Sequence, residues 1–162
     1  MQGKNFLDEH MPIKGVWQQQ GTGTLTWSVF SVYHATLWTA GALRLGASMP
    51  ANDSFALQFA YLRNVSAESI LDASEREITR LSKPASEQLT VWMQALRDIM
   101  PNAGRGDALW MIFQRGRSLT LLNDKATLGC IEDGALTDAM ARIWFDPECH
   151  SQNLRLALLK ET

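Results

Sequence analysis

Between Gly21 and Trp38 the chain carries Thr, Val, Phe, Tyr and Trp at the density of paired β-strands, with no proline, no acidic residue and no basic residue except His34. Leu25, Trp27 and Val29 alternate with Thr24, Thr26 and Ser28, the period of a half-buried strand. Past Phe30 the parity changes, to Phe30 and Val32 and then to Ala35 and Leu37. A one-residue offset sends every following side chain to the other face, so a bulge or tight reversal is expected between Ser28 and Ser31. The polar members are nearly all small hydroxyls, which line an enclosed cleft as readily as they face water.

A chain of 162 residues with 46% hydrophobic content reads as one globular domain. At that length it buries roughly 70% of the surface its unfolded form exposes, and needs no staples. Six Trp and seven Met either fill a core completely or leave a roomy interior, since Met packs irregular gaps. The formal charge is −2, with acidic and basic residues interspersed. No basic stripe exists to neutralise phosphates, which argues against nucleic acid as a partner. Cys130 and Cys149 are the only cysteines, and Cys149-His150 falls short of the four ligands of a structural zinc, so no metal is expected. The two thiols are either bridged or free. No stretch approaches the ~20 apolar residues needed to span a bilayer. The first twenty residues lack an apolar core and carry Asp8, Glu9 and His10, unlike a signal peptide.

Residues 1–15 are polar and read as a flexible arm, with a single domain over 16–162. Val16 and Trp17 open the first strand, and Gly21 and Gly23 are placed at the turn into the next. After a loop rich in Gly, Pro and Asn, residues 55–63 form a strand apolar on both faces and therefore central. Ser66 caps a helix carrying Ile70, Leu71, Ser74, Ile78 and Leu81. Beyond Pro84, Leu89, Trp92, Met93, Leu96 and Ile99 make a second helical stripe closed by Pro101. Strands follow at 107–114, 118–122 and 126–131, with turns at Arg115-Gly-Arg and Asn123-Asp124. A helix through Leu136, Met140 and Trp144 stops near Asp146-Pro147, and Ser151 begins a last one with Leu154 and Leu158. Strands grouped as hairpins and helices in pairs give an α+β class: a curved antiparallel sheet with helices layered on one face.

Most local patterns carry no chemistry. Gly21-x-Gly23 lacks a third glycine and is followed by a strand, whereas a dinucleotide site needs a helix N-terminus. There is no Gly-x-Ser-x-Gly elbow and no Walker loop. Asp72 and Arg76 are spaced for an i, i+4 pair, and Glu75 and Glu77 point to different faces, as on a solvated helix. Asn64-Val-Ser66 fits a glycosylation acceptor, though capping accounts for Ser66. Tyr33, Tyr61 and Arg63 are the sharper candidates. On one strand face two residues apart, Tyr61 and Arg63 offer a phenol and a guanidinium to a carboxylate or enolate oxygen. The alternative is a tyrosine buried by its ring and an arginine snorkelling to the edge.

The ordered set Val32-Tyr-His-Ala-Thr-Leu-Trp38, the 55–65 strand with Tyr61 and Arg63, the 66–81 helix, Gly106-Asp107, Asn123-Asp124 with Leu128-Gly129, and Ile143-Trp-Phe145 followed by residues 154–159 resembles the bacterial chalcone isomerase-like domains over about residues 17–160. The resemblance implies a large curved antiparallel sheet under a helix layer, with a ligand cleft between. It implies two precedents: plant members cyclise chalcones, and related plastid proteins bind fatty acids without catalysis. Bacterial relatives are typically exported, which implies a periplasmic location, with a cytoplasmic one as the alternative. The plant enzymes use an Arg on an early strand, a Thr on the next, and a Tyr and an Asn on the following helix. Those places fall near Thr24 or Leu25, near Ser28, near Ile70 and near Glu77. Only Ser28 keeps the right chemistry, and no Arg or Lys lies between Gly15 and Arg44. Stabilising a developing enolate needs a cation or strong donors there.

The resulting expectation is a non-catalytic domain holding a small apolar or fatty-acid-like ligand between sheet and helices, without cofactor. Tyr61 and Arg63 are its polar contacts, and Tyr33, Trp92 and Trp110 its walls. The alternatives are an intramolecular lyase working through Ser28, Tyr61 and Arg63, and a protein-interaction module whose cleft is filled by its own side chains.

Overall fold

The computed structural model describes residues 2–10, 16–27, 29–47 and 49–160. Six strands form one antiparallel sheet in the order β1 (Trp17–Trp27), β2 (Phe30–Ala40), β5 (Ser54–Tyr61), β6 (Ala108–Gln114), β7 (Ser118–Asn123) and β8 (Thr127–Ile131). Two short strands, β3 (Leu45–Gly46) and β4 (Met49–Pro50), pair in the loop that separates β2 from β5. The reversal expected in the aromatic-rich segment falls between Trp27 and Phe30, and register shifts follow Gln19 and Leu25. Those irregularities produce the parity change seen in the sequence.

The residues facing the helices alternate with those facing away: Tyr33, Ala35 and Leu37 on β2, Phe55, Leu57, Phe59 and Tyr61 on β5, and Leu109, Met111 and Phe113 on β6 all join the main core. Onto this face pack α2 (Ala67–Ser82), α3 (Ser86–Ile99), α4 (Gly134–Phe145) and α5 (Gln152–Leu159). Ser66 caps α2 as its sequence position suggested, its side chain accepting from the Ser69 amide at 3.1 Å. Asp133 does the same for α4 through the Leu136 amide. Both cysteines are free thiols, Cys130 exposed and Cys149 buried.

Two expectations need correction. Gly21 and Gly23 lie inside β1, not at a turn. A Cβ on Gly21 would stand 1.9 Å from the Ala157 carbonyl oxygen, so the missing side chain is what lets α5 lie against β1. Within the supposed flexible arm, Gln2–His10 form the helix α1, which buries Leu7 on the far face of the sheet. Phe6 stacks on Trp110 at 4.9 Å there. This gives Trp17, Trp38, Ala56 and Ile112 a second, smaller core. Residues 11–15 lie outside the described residues.

Candidate functional site

A cavity of about 200 Å³ opens between the sheet's helix-facing side and α2, α4 and the start of α5. Its floor follows from strand register. Leu25 pairs with Tyr33 and Tyr33 with Tyr61, so three neighbouring strands bring these side chains into one row. Its roof follows from helical period: Ile70, Ala73, Ser74 and Glu77, at i, i+3, i+4 and i+7, form one stripe of α2. Ser74 donates to the Ile70 carbonyl at 2.8 Å, which spends its hydroxyl proton within the helix and keeps the roof largely apolar.

Four aromatic rings set the inner geometry. Tyr33 meets Phe59 edge-on at 4.9 Å and Tyr61 at 5.6 Å, and Phe59 lies 5.3 Å from Trp144 of α4. The Trp144 indole donates to the Tyr33 hydroxyl oxygen at 3.0 Å. Burial pushes the Tyr33 phenol up to about 12, partly offset by that hydrogen bond. Burial also raises Tyr61, helped by the neighbouring Tyr33. Both phenols therefore stay protonated at neutral pH and act as neutral donors. Tyr33 still has its own O–H to give. Among the described residues, no side chain or carbonyl hydrogen-bonds the Tyr61 hydroxyl. Two donors without acceptors thus face an apolar hollow.

The rim is charged. Arg80 grips Glu77 through two bonds of 2.8 and 3.0 Å, which holds the Glu77 carboxyl below its ordinary range. The His150 amide adds a third bond at 3.3 Å. Arg76 borders the cavity and forms no ion pair among the described residues, so it is an uncommitted cation at the mouth. The expected Asp72–Arg76 pair is not formed among them either.

Of the residues expected at a site, Tyr33 and Tyr61 line the cavity together. Arg63 does not. β5 ends at Tyr61, whose carbonyl accepts from the Gly106 amide while its amide donates to Asp107, and the chain then bends away from strand alternation. The Arg63 guanidinium lies over the Phe30 ring at 4.3 Å, on the outer surface with Asn64 and Arg105. Trp92 is buried outside the cavity, its indole donating to Asp133 Oδ2 at 3.0 Å and fastening α3 to the α4 cap. Trp110 sits on the opposite face of the sheet against α1, because Leu109 and Met111 hold the helix-facing parity. Ser28 lies outside the described residues. Trp144 and Arg76 were not anticipated. The α2 stripe could have pointed to Arg76, one residue along from it, but nothing local places Trp144 against a tyrosine 111 residues away. Of the places where the plant enzymes' catalytic groups fall, Leu25, Ile70 and Glu77 border this cavity, while Thr24 hydrogen-bonds His34.

Tyr33→Phe is expected to strand the buried Trp144 N–H and cost about 1–3 kcal/mol. Thermal melts should fall by roughly 2–10 °C on that account. Alkaline titration gives a second readout. With a folded pKa above its unfolded value, Tyr33 contributes stability that is complete below about pH 10 and is lost as the pH climbs toward about 12. The variant should lose less stability across that window; a melt unchanged at both neutral and alkaline pH counts against this geometry.

Among curated proteins, none matches this sequence. A fatty-acid binding protein of Arabidopsis thaliana, known from its crystal structure, superposes with a TM-score of 0.68 at 13% identity, covering 92% of this chain and 90% of that one. The family model described as chalcone isomerase-like matches residues 6–160. The large antiparallel sheet with its helix layer is the fold shared with that structure, and the family match over nearly the whole sequence shows that the chain belongs to the chalcone isomerase-like family.

Proposed function

We propose that this domain binds a small, largely apolar, fatty-acid-like ligand in the cavity beneath α2 and does not convert it. The observation that carries the reading is the pair of protonated phenols facing an apolar hollow with donors to spare. The surroundings that raise both phenols penalise charge, so an apolar body or a neutral oxygen belongs inside. An acidic head group belongs at the mouth, beside Arg76. The Arabidopsis protein of the same fold, described as fatty-acid binding, supports the ligand class. Below the 300–1,000 Å³ usual for drug-sized ligands, the hollow suits a short or partly inserted chain.

The inner groups also suit binding better than catalysis. An intramolecular lyase must stabilise a developing anion by preorganised charge or donors. Here the interior offers neutral phenols, and the nearby Arg80 is taken up by Glu77. Incubation with a chalcone is expected to give the buffer rate, followed by absorbance.

Native mass spectrometry after mixing with fatty acids tests the reading directly: a mass increment of one ligand supports it, and a clean apo mass throughout overturns it. Arg76→Ala is expected to weaken binding of a free acid by about three- to tenfold, the scale of one partly exposed charge contact, while leaving the methyl ester unaffected. Equal weakening of both would remove Arg76 from the head-group role.

A further inference from the structure

We infer that the tip of the β1–β2 hairpin is a docking surface for an anionic lipid bilayer, beside the mouth of the cavity. Six large apolar side chains are exposed among the described residues, and three of them, Trp27, Val29 and Phe30, fall within this one tip. Val29 is 85% exposed, far beyond what a strand end needs. Trp27 and Phe30 are the last cross-strand pair of the hairpin, so both project at its end. Large apolar side chains clustered at a protruding tip are the feature that enters the head-group boundary of a membrane, with Trp settling at interfacial depth.

Charge identifies the occupant. The Arg63 guanidinium lies over the Phe30 ring at 4.3 Å, which holds a cation at the hairpin tip. Arg105 shares the adjoining surface depression. Neither arginine forms an ion pair among the described residues. Asp107, the acidic residue of the same loop, accepts from the Gly104 amide at 2.7 Å. The chain as a whole is at −2, so the attraction is local to this end. Two guanidiniums without an ion pair among the described residues, beside a greasy tip, complement phosphate head groups over a hydrocarbon boundary. A second copy of this chain would bring the same two cations against themselves.

Position gives the surface its use. Trp27 also lines the cavity, so a tip seated in the bilayer places the opening at the lipid interface. The inference rests on the tip's exposure and charge and stands whatever the cavity holds.

Co-sedimentation of the full chain with vesicles tests it. The protein is expected to pellet with phosphatidylcholine vesicles containing phosphatidylglycerol, and to be released by salt. Val29→Asp combined with Phe30→Asp should reduce the bound fraction about tenfold or more, since two charges replace the inserted groups. Arg63→Glu with Arg105→Glu should abolish the preference for anionic over neutral vesicles. Circular dichroism melts check that these exposed substitutions leave the fold intact. Equal pelleting of the wild type and the double-aspartate variant overturns the inference, as does equal binding to neutral and anionic vesicles. A dimer in sedimentation velocity that the aspartates disperse, without vesicle binding, makes the occupant a second copy and also overturns it. Fatty-acid uptake without vesicles, unaltered in the double-aspartate variant, keeps the two readings separable: its absence in the wild type refutes the cavity proposal alone.

Discussion

Gly21→Ala is expected to lower the melting temperature by about 6–12 °C, the consequence of roughly 3 kcal/mol lost from overpacking in a domain of this size. The added methyl would stand 1.9 Å from the Ala157 carbonyl oxygen and 2.5 Å from that of Leu158. Both obstacles are backbone, so no rotamer change relieves them. The helix α5 would have to lift from β1 as a unit. That movement strains the bond of 2.9 Å from Arg155 Nε to the Phe145 carbonyl, which ties α5 to the end of α4. It also withdraws Leu154 from the cavity wall. Gly23→Ala is the graded control. Its methyl meets the side-chain atoms Ala157 Cβ and Leu154 Cδ1, both at 2.9 Å, and Leu154 can rotate. A smaller loss is expected there. Equal melts for Gly21→Ala and wild type would mean that α5 does not pack as described.

Ala73→Phe should abolish uptake of a fatty-acid probe, with at least a tenfold loss of affinity, while the melting temperature holds or rises. Ala73 sits in the middle of the α2 stripe, pointing into the hollow between Ile70 and Ser74. A phenyl ring there occupies the space a ligand would take, meeting Phe59 and Tyr61 across the cavity. Filling a void stabilises a fold by restoring contacts the lining atoms lack. Opposite signs for stability and affinity make the experiment decisive, because general damage to the fold lowers both. Wild-type affinity in a folded Ala73→Phe protein would place the ligand elsewhere.

The pair Arg63 and Trp110 illustrates how far local pattern reaches. Alternation within residues 55–63 correctly puts Phe55, Leu57, Phe59 and Tyr61 on one face. It fails for Arg63 because it assumes that the strand continues, and the strand stops where Tyr61 bonds to Gly106 and Asp107. Trp110 lies in the run Ala108–Gln114, which is apolar at both parities. Alternation cannot say which parity meets the cavity, since α1 supplies a second apolar environment behind the sheet. The polar composition of the first fifteen residues hid that helix, whose apolar anchors among the described residues are Phe6 and Leu7. Gly21 and Gly23 misled for a related reason. Glycine marks either a turn or a close approach, and only the partner on the other side, α5, tells them apart.

Legible in the chain alone were the α+β class, the hairpin reversal, the helix capped by Ser66, the face shared by Phe55, Leu57, Phe59 and Tyr61, and the lack of a cation on the early strands. Each of these rests on interactions between residues near in sequence, or on periods of two and 3.6 that repeat along it. Packing between distant segments decided that Tyr33 sits beside Tyr61, that Trp144 reaches Tyr33, that Arg76 borders the opening without an ion pair among the described residues, and that Arg63 turns outward onto Phe30. Those outcomes depend on which elements meet and where a strand ends, and contacts between distant segments leave no periodic trace in the chain.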